Sequence, residues 1–472
     1  MLFNSAEFAI FLPIVLLVFF GLPHRFRWQW LLFSSCVFYM AYIPWFILVI
    51  GTTIVIDYFA GIFIARQHGK MRKYGLIISL IANIGILFFF KYFNFFYDNL
   101  VPLLSSGGIH ISKPNWNILL PIGLSFHTFQ AMSYTIEVYR GHQAAERHFG
   151  IYALYVLFFP QMVAGPIERP QNMLHQFHEE KFFSETKLVI GLRLILWGLF
   201  KKLVIADRAA IVSDEVFAHP VQYGSIGIFW ASVMFAFRIY GDFSGYTDIA
   251  RGAARMLGFE LMLNFRRPYL SASVTEFWRR WHISLSTWFK DYVYIPLGGN
   301  RALVSRVVFN LLITFIVSGL WHGADWKFVV WGGLNGAYIA AEYLWTKLNL
   351  PPMSSRAGTN FNRIKTFLLI CISWIFFAAP NMQLAIQAIR QLRVISHSTT
   401  DISDVLLAKD SLMASVFIFF LLFCEILIEK ERLSAWFFSQ ARWFRWMSYA
   451  TVCWIILLFG QFGERQFIYF VF

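Results

Sequence analysis

The sequence has few charged residues for its length. Asp, Glu, Lys and Arg make up 14% of its 472 residues, whereas soluble domains contain about 25%. Hydrophobic residues make up 58%, and the mean hydropathy is +0.57. A soluble protein of this size has no means of burying so much apolar surface, and disordered chains have little of it. The composition therefore excludes both classes and predicts a protein that crosses a membrane several times.

The sequence also lacks the motifs of several common classes of site. Its four cysteines lie far apart and form no CxxC pair, so we predict neither a zinc site, nor another metal centre, nor a disulfide framework. It has no Gly-rich nucleotide loop, no HExxH and no GxSxG. The 40 Lys and Arg against 26 Asp and Glu give a net charge of +14, but these residues are scattered between apolar runs. We therefore expect membrane lipids as partners and no nucleic acid.

Apolar runs of roughly membrane-spanning length recur along the chain, and strand-like alternation is absent, so an all-α polytopic membrane protein is favoured over a barrel. Several runs are shorter than the roughly 20 residues of a straight span, so we expect about ten to twelve transmembrane helices together with re-entrant and interfacial helices. The runs are Phe8–Leu22, Trp30–Met40, Trp45–Ile64, Tyr74–Phe90, Ile118–Ile136, Phe149–Val163, Leu188–Ile205, Ser225–Tyr240, Val307–Leu320, Phe328–Leu344, Thr366–Ala378, Met413–Ile428 and Trp446–Phe459.

Loop charge predicts the orientation of the first helices in the membrane, and three polar segments mark regions that are not simple spans. Arg25 and Arg27 follow the first run and four basic residues at 66–73 follow the third, which places both loops in the cytoplasm and the N-terminus outside. The segments Gln161–Glu185, Asp242–Asn310 and Asn381–Asp410 are too polar for simple spans. Asp242–Asn310 interleaves nine Lys and Arg with aromatic residues, which fits either helices in a membrane funnel or a solvated cytoplasmic loop.

His322 lies directly between two apolar runs. An imidazole at membrane depth is costly, so it is a candidate functional residue, the alternative being a packing histidine bonded to a carbonyl. Gly319 and Gly323 are four residues apart, as are Gly332 and Gly336. Such spacing lets helix backbones approach closely, or lets a ligand chain pass near the backbone.

A second candidate histidine, His282, follows a pair of arginines. At helical spacing Trp278, Trp281 and His282 share one broad face, which fits either a pocket wall or an interfacial helix with an aromatic belt. Farther upstream, Asp242 and Asp248 are six residues apart. Paired-carboxylate catalysis there is weakly supported, and we predict instead that Thr247 or Asp248 caps a following helix.

Seven segments together resemble the membrane-bound O-acyltransferase (MBOAT) family. The resemblance is to its bacterial branch, which contains alginate, peptidoglycan and other exopolysaccharide O-acetyltransferases and is related to the D-alanyl transfer protein of teichoic acid. His127 stands where relatives commonly have an aromatic residue, which affects no catalytic position. The segments are PIGLSF at 121–126, YTIEVYR at 134–140, VAGPI at 163–167, DFSGYTD at 242–248, FWRRWHISLS at 277–286, YIPLGGN at 294–300 and GLWHG at 319–323.

The resemblance implies a fold and a catalytic pair. It implies one transmembrane domain over 1–472, with N-terminal helices at 1–140, a catalytic core at 141–350 and C-terminal helices at 351–472. It implies funnels that meet at a thin centre of the membrane. It also implies that His322 is the catalytic histidine and His282 the second one.

The implied reaction moves an acyl group from a cytoplasmic thioester, such as acetyl-CoA, to a hydroxyl of an exported polysaccharide, with alginate favoured. The enzyme would transfer groups other than aminoacyl groups and hold no tightly bound cofactor. We expect His322 to act as general base, either directly or for an acyl-enzyme step, and His282 to orient the donor or stabilise developing charge. Arg279 and Arg280, with Trp278, Trp281 and Trp321, are the predicted donor-binding residues, although the arginines fit lipid headgroups equally well.

Location and partners follow from the same resemblance. Thioesters are made inside the cell and the polymers are modified outside, so we expect the bacterial cytoplasmic (inner) membrane and an extracytoplasmic SGNH-type acetyltransferase as partner. The alternative acceptors are peptidoglycan or another exopolysaccharide, and D-alanyl transfer to teichoic acid is a further possibility. A transporter without acyl-transfer chemistry is the competing class, although no repeat between the two halves supports it.

Overall fold

A computed structural model describes residues 1–108, 118–162, 165–348, 356–393, 408–430 and 432–463, with the single residues 116, 405, 465, 467 and 468. Within these residues the chain is helical and no strand occurs. Several sequence predictions fall partly outside them. Residues 163–164 belong to the VAGPI segment and to Gln161–Glu185, and Val163 ends the run Phe149–Val163. Most of the second half of Asn381–Asp410 and parts of the predicted C-terminal helices at 351–472 also lie outside the described residues. The all-α prediction is confirmed.

The described helices follow one another through short connections. Short π-helical turns extend three of them, at Phe88–Tyr92, Phe200–Ala206 and Lys290–Tyr294, and a 3₁₀ turn lies at Pro268–Leu270. The α-helices are α1 (Ala6–Gly21), α2 (His24–Met40), α3 (Phe46–Arg66), α4 (Gly69–Leu87), α5 (Phe93–Ser106), α6 (Leu124–Arg140), α7 (Phe149–Leu157), α8 (Phe159–Met162), α9 (Pro170–His178), α10 (Glu185–Leu199), α11 (Asp207–Ala218), α12 (Pro220–Met256), α13 (Val274–Arg280), α14 (Ile283–Phe289), α15 (Val304–His322), α16 (Trp326–Lys347), α17 (Arg356–Ala378), α18 (Met382–Arg393), α19 (Lys409–Glu429), α20 (Arg432–Ser439) and α21 (Arg442–Phe459).

Six helices in the described part of the chain are long and apolar enough to cross a membrane: Phe46–Arg66, Gly69–Ser106, Pro220–Met256, Val304–His322, Ala357–Ala378 and Lys409–Glu429. The protein is therefore a multi-pass membrane protein. The number is smaller than the ten to twelve that the apolar runs predict, because other runs form shorter or interrupted helices. The first run forms the 16-residue α1, and the run Phe149–Val163 breaks between α7 and α8.

The chain forms two compact units. Unit 1 consists of residues 1–195 and 247–262, and unit 2 of residues 196–246 and 263–472. In unit 1 a buried carboxylate joins three helices. Asp57 of α3 accepts hydrogen bonds from Ser79 Oγ at 2.6 Å and from Asn83 Nδ2 at 2.9 Å, both on α4, and Ser79 Oγ lies 3.1 Å from Thr135 Oγ1 of α6. Hydrogen bonds between helices stabilise packing where lipid supplies no hydrophobic driving force.

In unit 2, glycines bring α15 and α16 into backbone contact. A Cβ added to Gly319 would lie 2.1 Å from the carbonyl oxygen of Phe328, and one added to Gly332 would lie 2.3 Å from that of Phe315. The predicted close approach of helix backbones is confirmed. The alternative, a ligand chain beside these glycines, is wrong at both positions because the facing helix occupies the space.

Gly319→Ala should therefore destabilise the protein by about 3 kcal/mol, because the added methyl group forces the two helices apart. The matched control is Gly333→Ala on α16, where an added Cβ meets nothing within 4 Å. That control should gain up to about 1 kcal/mol from helix propensity. Melting temperatures of the two purified variants in detergent test this, and equal melting temperatures would refute the close contact.

The structure corrects the prediction that Thr247 or Asp248 caps a following helix. Both lie inside α12, which is kinked at Gly224 but continues to Met256, so no helix begins after either residue. Asp242, on the same helix, belongs to a buried charge group in which Lys202 Nζ lies 2.8 Å from Asp242 Oδ1 and 2.8 Å from Asp207 Oδ1. Asp242 therefore stabilises a buried cation.

Candidate active site

The segment that contains His282 is folded into unit 2 and buried. Phe265, Trp281, His282 and Trp288 are all at least 92% buried, so a solvated loop is the wrong interpretation of this part of Asp242–Asn310. The predicted helical face of Trp278, Trp281 and His282 is also wrong. Helix α13 ends at Arg280 and α14 begins at Ile283, and His282 between them has φ 42° and ψ 56°. A left-handed conformation at a non-glycine residue costs free energy and occurs preferentially at functional sites.

Asn264 holds this break in place. Its backbone oxygen accepts a hydrogen bond from the Ile283 N–H at 2.9 Å, and its Oδ1 accepts from Ser284 N at 3.1 Å and from Ser284 Oγ at 2.9 Å. These bonds satisfy N–H groups at the start of α14 that have no partner within the helix. Asn264 is fully buried. This role was not predictable from the sequence, because Asn264 lies 18 positions before His282 in a stretch with no recognisable motif.

Asn264→Ala should leave the start of α14 without its side-chain acceptor and destabilise the protein by about 1–3 kcal/mol. Because the same bonds position His282, we expect kcat to fall while KM changes little. Asn264→Asp keeps an Oδ acceptor and should restore much of kcat. If Asp and Ala variants were equally impaired, Asn264 would have no role in positioning His282.

His282 is enclosed by aromatic rings. Its ring centroid lies 4.6 Å from that of Phe243, 6.3 Å from that of Trp321 and 6.4 Å from that of Phe265, which is nearly parallel to it. Complete burial lowers the pKa of His282 to about 3. The imidazole is therefore neutral at physiological pH, and it can act through a neutral N–H or a ring nitrogen and not as a cation.

His322 is the last residue of α15 and is buried in unit 2. The Trp331 ring of α16 lies 4.9 Å away at 85°, and the Phe377 ring of α17 lies 5.3 Å away. Trp321, the residue before His322, also contacts the ring of His282. The structure thus brings both predicted histidines close to the ring of one tryptophan, Trp321, within one unit.

Tryptophans complete this environment. Trp278 Nε1 donates to Asn335 Oδ1 at 3.3 Å, and the Trp278 ring lies 5.6 Å from that of Trp331. Trp331 in turn stacks on Trp374 of α17 at 5.8 Å, and Trp374 contacts Trp281 at 5.3 Å. The three predicted tryptophans, Trp278, Trp281 and Trp321, are therefore close to the histidines. Sequence reasoning missed Trp331 and Trp374, although Trp331 directly precedes Gly332 on the helix that the glycine spacing pairs with α15.

The two predicted donor-binding arginines differ in their surroundings. Arg279 is exposed. Arg280 lies 2.7 Å from Glu276 and 3.0 Å from Glu429, which also lies 2.6 Å from Arg267. Because these carboxylates balance the charge of Arg280, Arg279 is the better placed of the two to attract a phosphate.

Comparisons with known proteins identify the family of the chain. The model of the MBOAT, membrane-bound O-acyltransferase family, matches residues 142–379. The chain is 38% identical over 389 residues to the protein named "Probable alginate O-acetylase AlgI" of Pseudomonas aeruginosa, covering 82% of this chain and 73% of that protein. It is 33% identical over 435 residues to the peptidoglycan O-acetyltransferase of Helicobacter pylori, covering 83% and 79%.

A more distant relative is the teichoic acid D-alanyltransferase of Bacillus subtilis, 27% identical over 304 residues that cover 60% of this chain and 74% of that protein. The family match includes His282, His322 and the tryptophans between them. The chain therefore belongs to the membrane-bound O-acyltransferase family, and it is a multi-pass membrane acyltransferase.

Proposed function

We propose that this protein passes an acetyl group from a cytoplasmic thioester across the bacterial cytoplasmic membrane for O-acetylation of an exported polysaccharide, with alginate as the acceptor. The observation that carries the proposal is the 38% identity to an alginate O-acetylase over 82% of the chain. The buried histidine pair supplies the chemistry. Acetylation of peptidoglycan or another exopolysaccharide is the alternative, since a peptidoglycan O-acetyltransferase is 33% identical.

His322 is the proposed general base. As the acceptor oxygen attacks the thioester carbon, the neutral imidazole takes the hydroxyl proton and a C–O bond forms. The tetrahedral adduct then expels the thiolate as its C–S bond breaks, and the protonated His322 returns the proton to the sulfur. If a residue of a partner first accepts the acetyl group, His322 handles the proton of that residue in the same way.

His282 is the proposed second catalytic group. A neutral imidazole with a fixed ring suits a hydrogen bond to the oxygen on which negative charge develops, because a preorganised donor in a buried site needs no reorientation during the reaction. Its left-handed backbone and the Asn264 bonds support such a fixed position. Burial of His282 and its low pKa argue against a role as general acid, which would require a protonated imidazole at neutral pH.

The donor contacts are proposed for the same region. Arg279 would attract the phosphates of coenzyme A or of a carrier's phosphopantetheine, and Arg280 would act mainly by positioning Glu276 and Glu429. Trp278, Trp281 and Trp321 would line the route of the thioester. No tightly bound cofactor is needed for these steps, and the acyl donor, acetyl-CoA or another thioester, is a substrate.

The setting of the reaction is proposed as well. The chain would act as one membrane domain over 1–472, with a thin centre through which the acetyl group passes. An extracytoplasmic SGNH-type acetyltransferase would complete transfer to the sugar hydroxyl. This fits a donor made inside the cell and an acceptor modified outside it.

Complementation tests the acceptor. An alginate-producing strain that lacks its own membrane O-acetylase should regain acetyl esters on its alginate when it expresses this chain, as measured by NMR of the secreted polymer. A peptidoglycan O-acetylation mutant complemented in parallel serves as the second arm. Restored acetylation of peptidoglycan with unacetylated alginate would overturn the choice of alginate.

A further inference from the structure

Unit 1 contains a cavity of about 190 Å³ that the proposed reaction does not use. It lies where four helices begin or end: Phe19 is near the end of α1, Trp28 is in the first turns of α2, His148 directly precedes α7, and His178 ends α9. Loop charge predicts that the turn between α1 and α2 lies in the cytoplasm. The cavity is therefore expected at the cytoplasmic end of unit 1.

The lining of the cavity combines basic and apolar side chains. The basic and imidazole side chains are Arg25, Arg27, Lys181, His24, His148 and His178. The apolar part of the lining includes the buried side chains of Phe19, Leu31, Leu154, Phe177 and Phe259. Glu179 is the one carboxylate in the lining and lies 2.6 Å from Lys181 Nζ. Two arginines thus remain in excess over acidic groups in the lining.

Arg27, one of the cations in this lining, has a fixed position. Arg27 Nε donates to the carbonyl oxygen of Leu22 at 2.9 Å, and Arg27 Nη1 donates to that of Lys181. Its guanidinium carbon lies 5.3 Å from the centre of the Phe19 ring. Lys181 Nζ lies 5.3 Å from the centre of the Phe259 ring. Arginine held in this way is suited to recognise a phosphate, because little side-chain freedom is lost on binding.

An exposed apolar stripe leads along α1 to the same end of the unit. Ile10, Ile14 and Leu17 occur at intervals of four and three residues, so they share one face of the helix. Their side chains are 64%, 49% and 76% exposed. In a membrane protein such a face is suited to lipid acyl chains, and it runs toward the turn between α1 and α2, directly after which Arg25 and Arg27 lie on α2.

We propose that the cavity binds the phosphate group of an anionic phospholipid, whose acyl chains lie along the Ile10, Ile14 and Leu17 face of α1. The fixed guanidinium of Arg27 suits the phosphate, and the neighbouring stripe suits the chains. Pockets that enclose drug-sized ligands have volumes of about 300–1,000 Å³. A cavity of about 190 Å³ accommodates a headgroup but not a whole coenzyme A, so the acyl donor is not the expected occupant.

Native mass spectrometry of the full-length protein in detergent tests the site, with phosphatidylglycerol and phosphatidylcholine of equal chain length as probes. The parent protein should retain phosphatidylglycerol in preference to phosphatidylcholine. Arg25→Gln combined with Arg27→Gln should reduce that binding about tenfold or more, since each basic residue near a membrane surface contributes on the order of fivefold. Arg25→Gln with Lys181→Gln is the second variant, which leaves the backbone bonds of Arg27 intact.

The matched control is Lys70→Gln combined with Lys73→Gln, which removes two exposed cations at the start of α4, outside the cavity. It should change phosphatidylglycerol binding less than about twofold. An equal loss in the control would overturn the proposal, because general charge attraction would then explain the binding. Displacement of the lipid by millimolar coenzyme A or inorganic phosphate would overturn the assignment to a lipid. The outcome does not depend on whether acetyl transfer is the protein's reaction.

Discussion

Replacing His322 with Ala is expected to reduce polysaccharide O-acetylation about a thousandfold, which is the usual contribution of a general base. The side chain lies at the end of α15 among the rings of Trp321, Trp331 and Phe377. Without the imidazole, the attacking hydroxyl keeps its proton and is a poor nucleophile. Acetyl esters on the secreted polymer, quantified by NMR against expression level, measure the loss.

The control for this variant is His219→Ala, which removes an exposed histidine of the same unit at the end of α11. It should keep normal acetylation. The His322→Ala protein should be present in the membrane at the parent level and elute as the parent does on size exclusion. Normal acetylation by a well-folded His322→Ala protein would remove His322 from the mechanism.

Replacing His282 with Asn is expected to lower kcat by about 100- to 1,000-fold with a small change in melting temperature. Removal of one preorganised donor to a developing oxyanion has an effect of this size. Asn is chosen because it tolerates the left-handed backbone better than other polar residues, so the break between α13 and α14 should persist. The readouts are kcat and KM for acetyl transfer, together with thermal unfolding of the purified variant.

The matched control is His127→Asn, the same change at another buried histidine, which lies on α6 of unit 1. It should leave kcat within about a factor of three, because the proposed mechanism gives His127 no step and loss of such a buried side chain affects mainly stability. A His282 variant no more impaired than the His127 variant would mean that the strained backbone serves folding alone.

Much of the site around His322 was predictable because its signals are local. A histidine between apolar runs stands out in the sequence, and the four-residue glycine spacing predicts the close packing of α15 on α16. That packing places Trp331 against His322. The predicted roles of the two histidines remain predictions, since position alone does not demonstrate a step in the reaction.

The surroundings of His282 were not predictable from helical spacing. The spacing predicted a continuous helix through Trp278 and His282, but the left-handed residue ends that helix and turns the chain. Asn264 and Trp374 contribute from 18 positions before and 92 positions after His282, and Glu429 reaches Arg280 from still farther along. Contacts of this kind depend on tertiary packing, which periodicity in one segment does not reveal.

The described part of the chain has fewer long apolar helices than it has apolar runs for a related reason. Apolar runs show where hydrophobic residues are, but helix breaks depend on backbone geometry. The interruption between α7 and α8 lies within an apolar run in which every residue from 150 to 162 is buried. An apolar run that is buried inside the protein therefore looks the same in the sequence as an apolar run that faces lipid.

The most direct test of the central claim uses inverted membrane vesicles, whose cytoplasmic face points outward, with oligomers of alginate trapped inside. Acetyl-CoA labelled in the acetyl group is added outside, and ester-linked label is counted on the trapped oligomers. With the parent chain and its partner present, label should accumulate inside, whereas vesicles with His322→Ala should show background only. Equal labelling with both chains would contradict acyl transfer through His322.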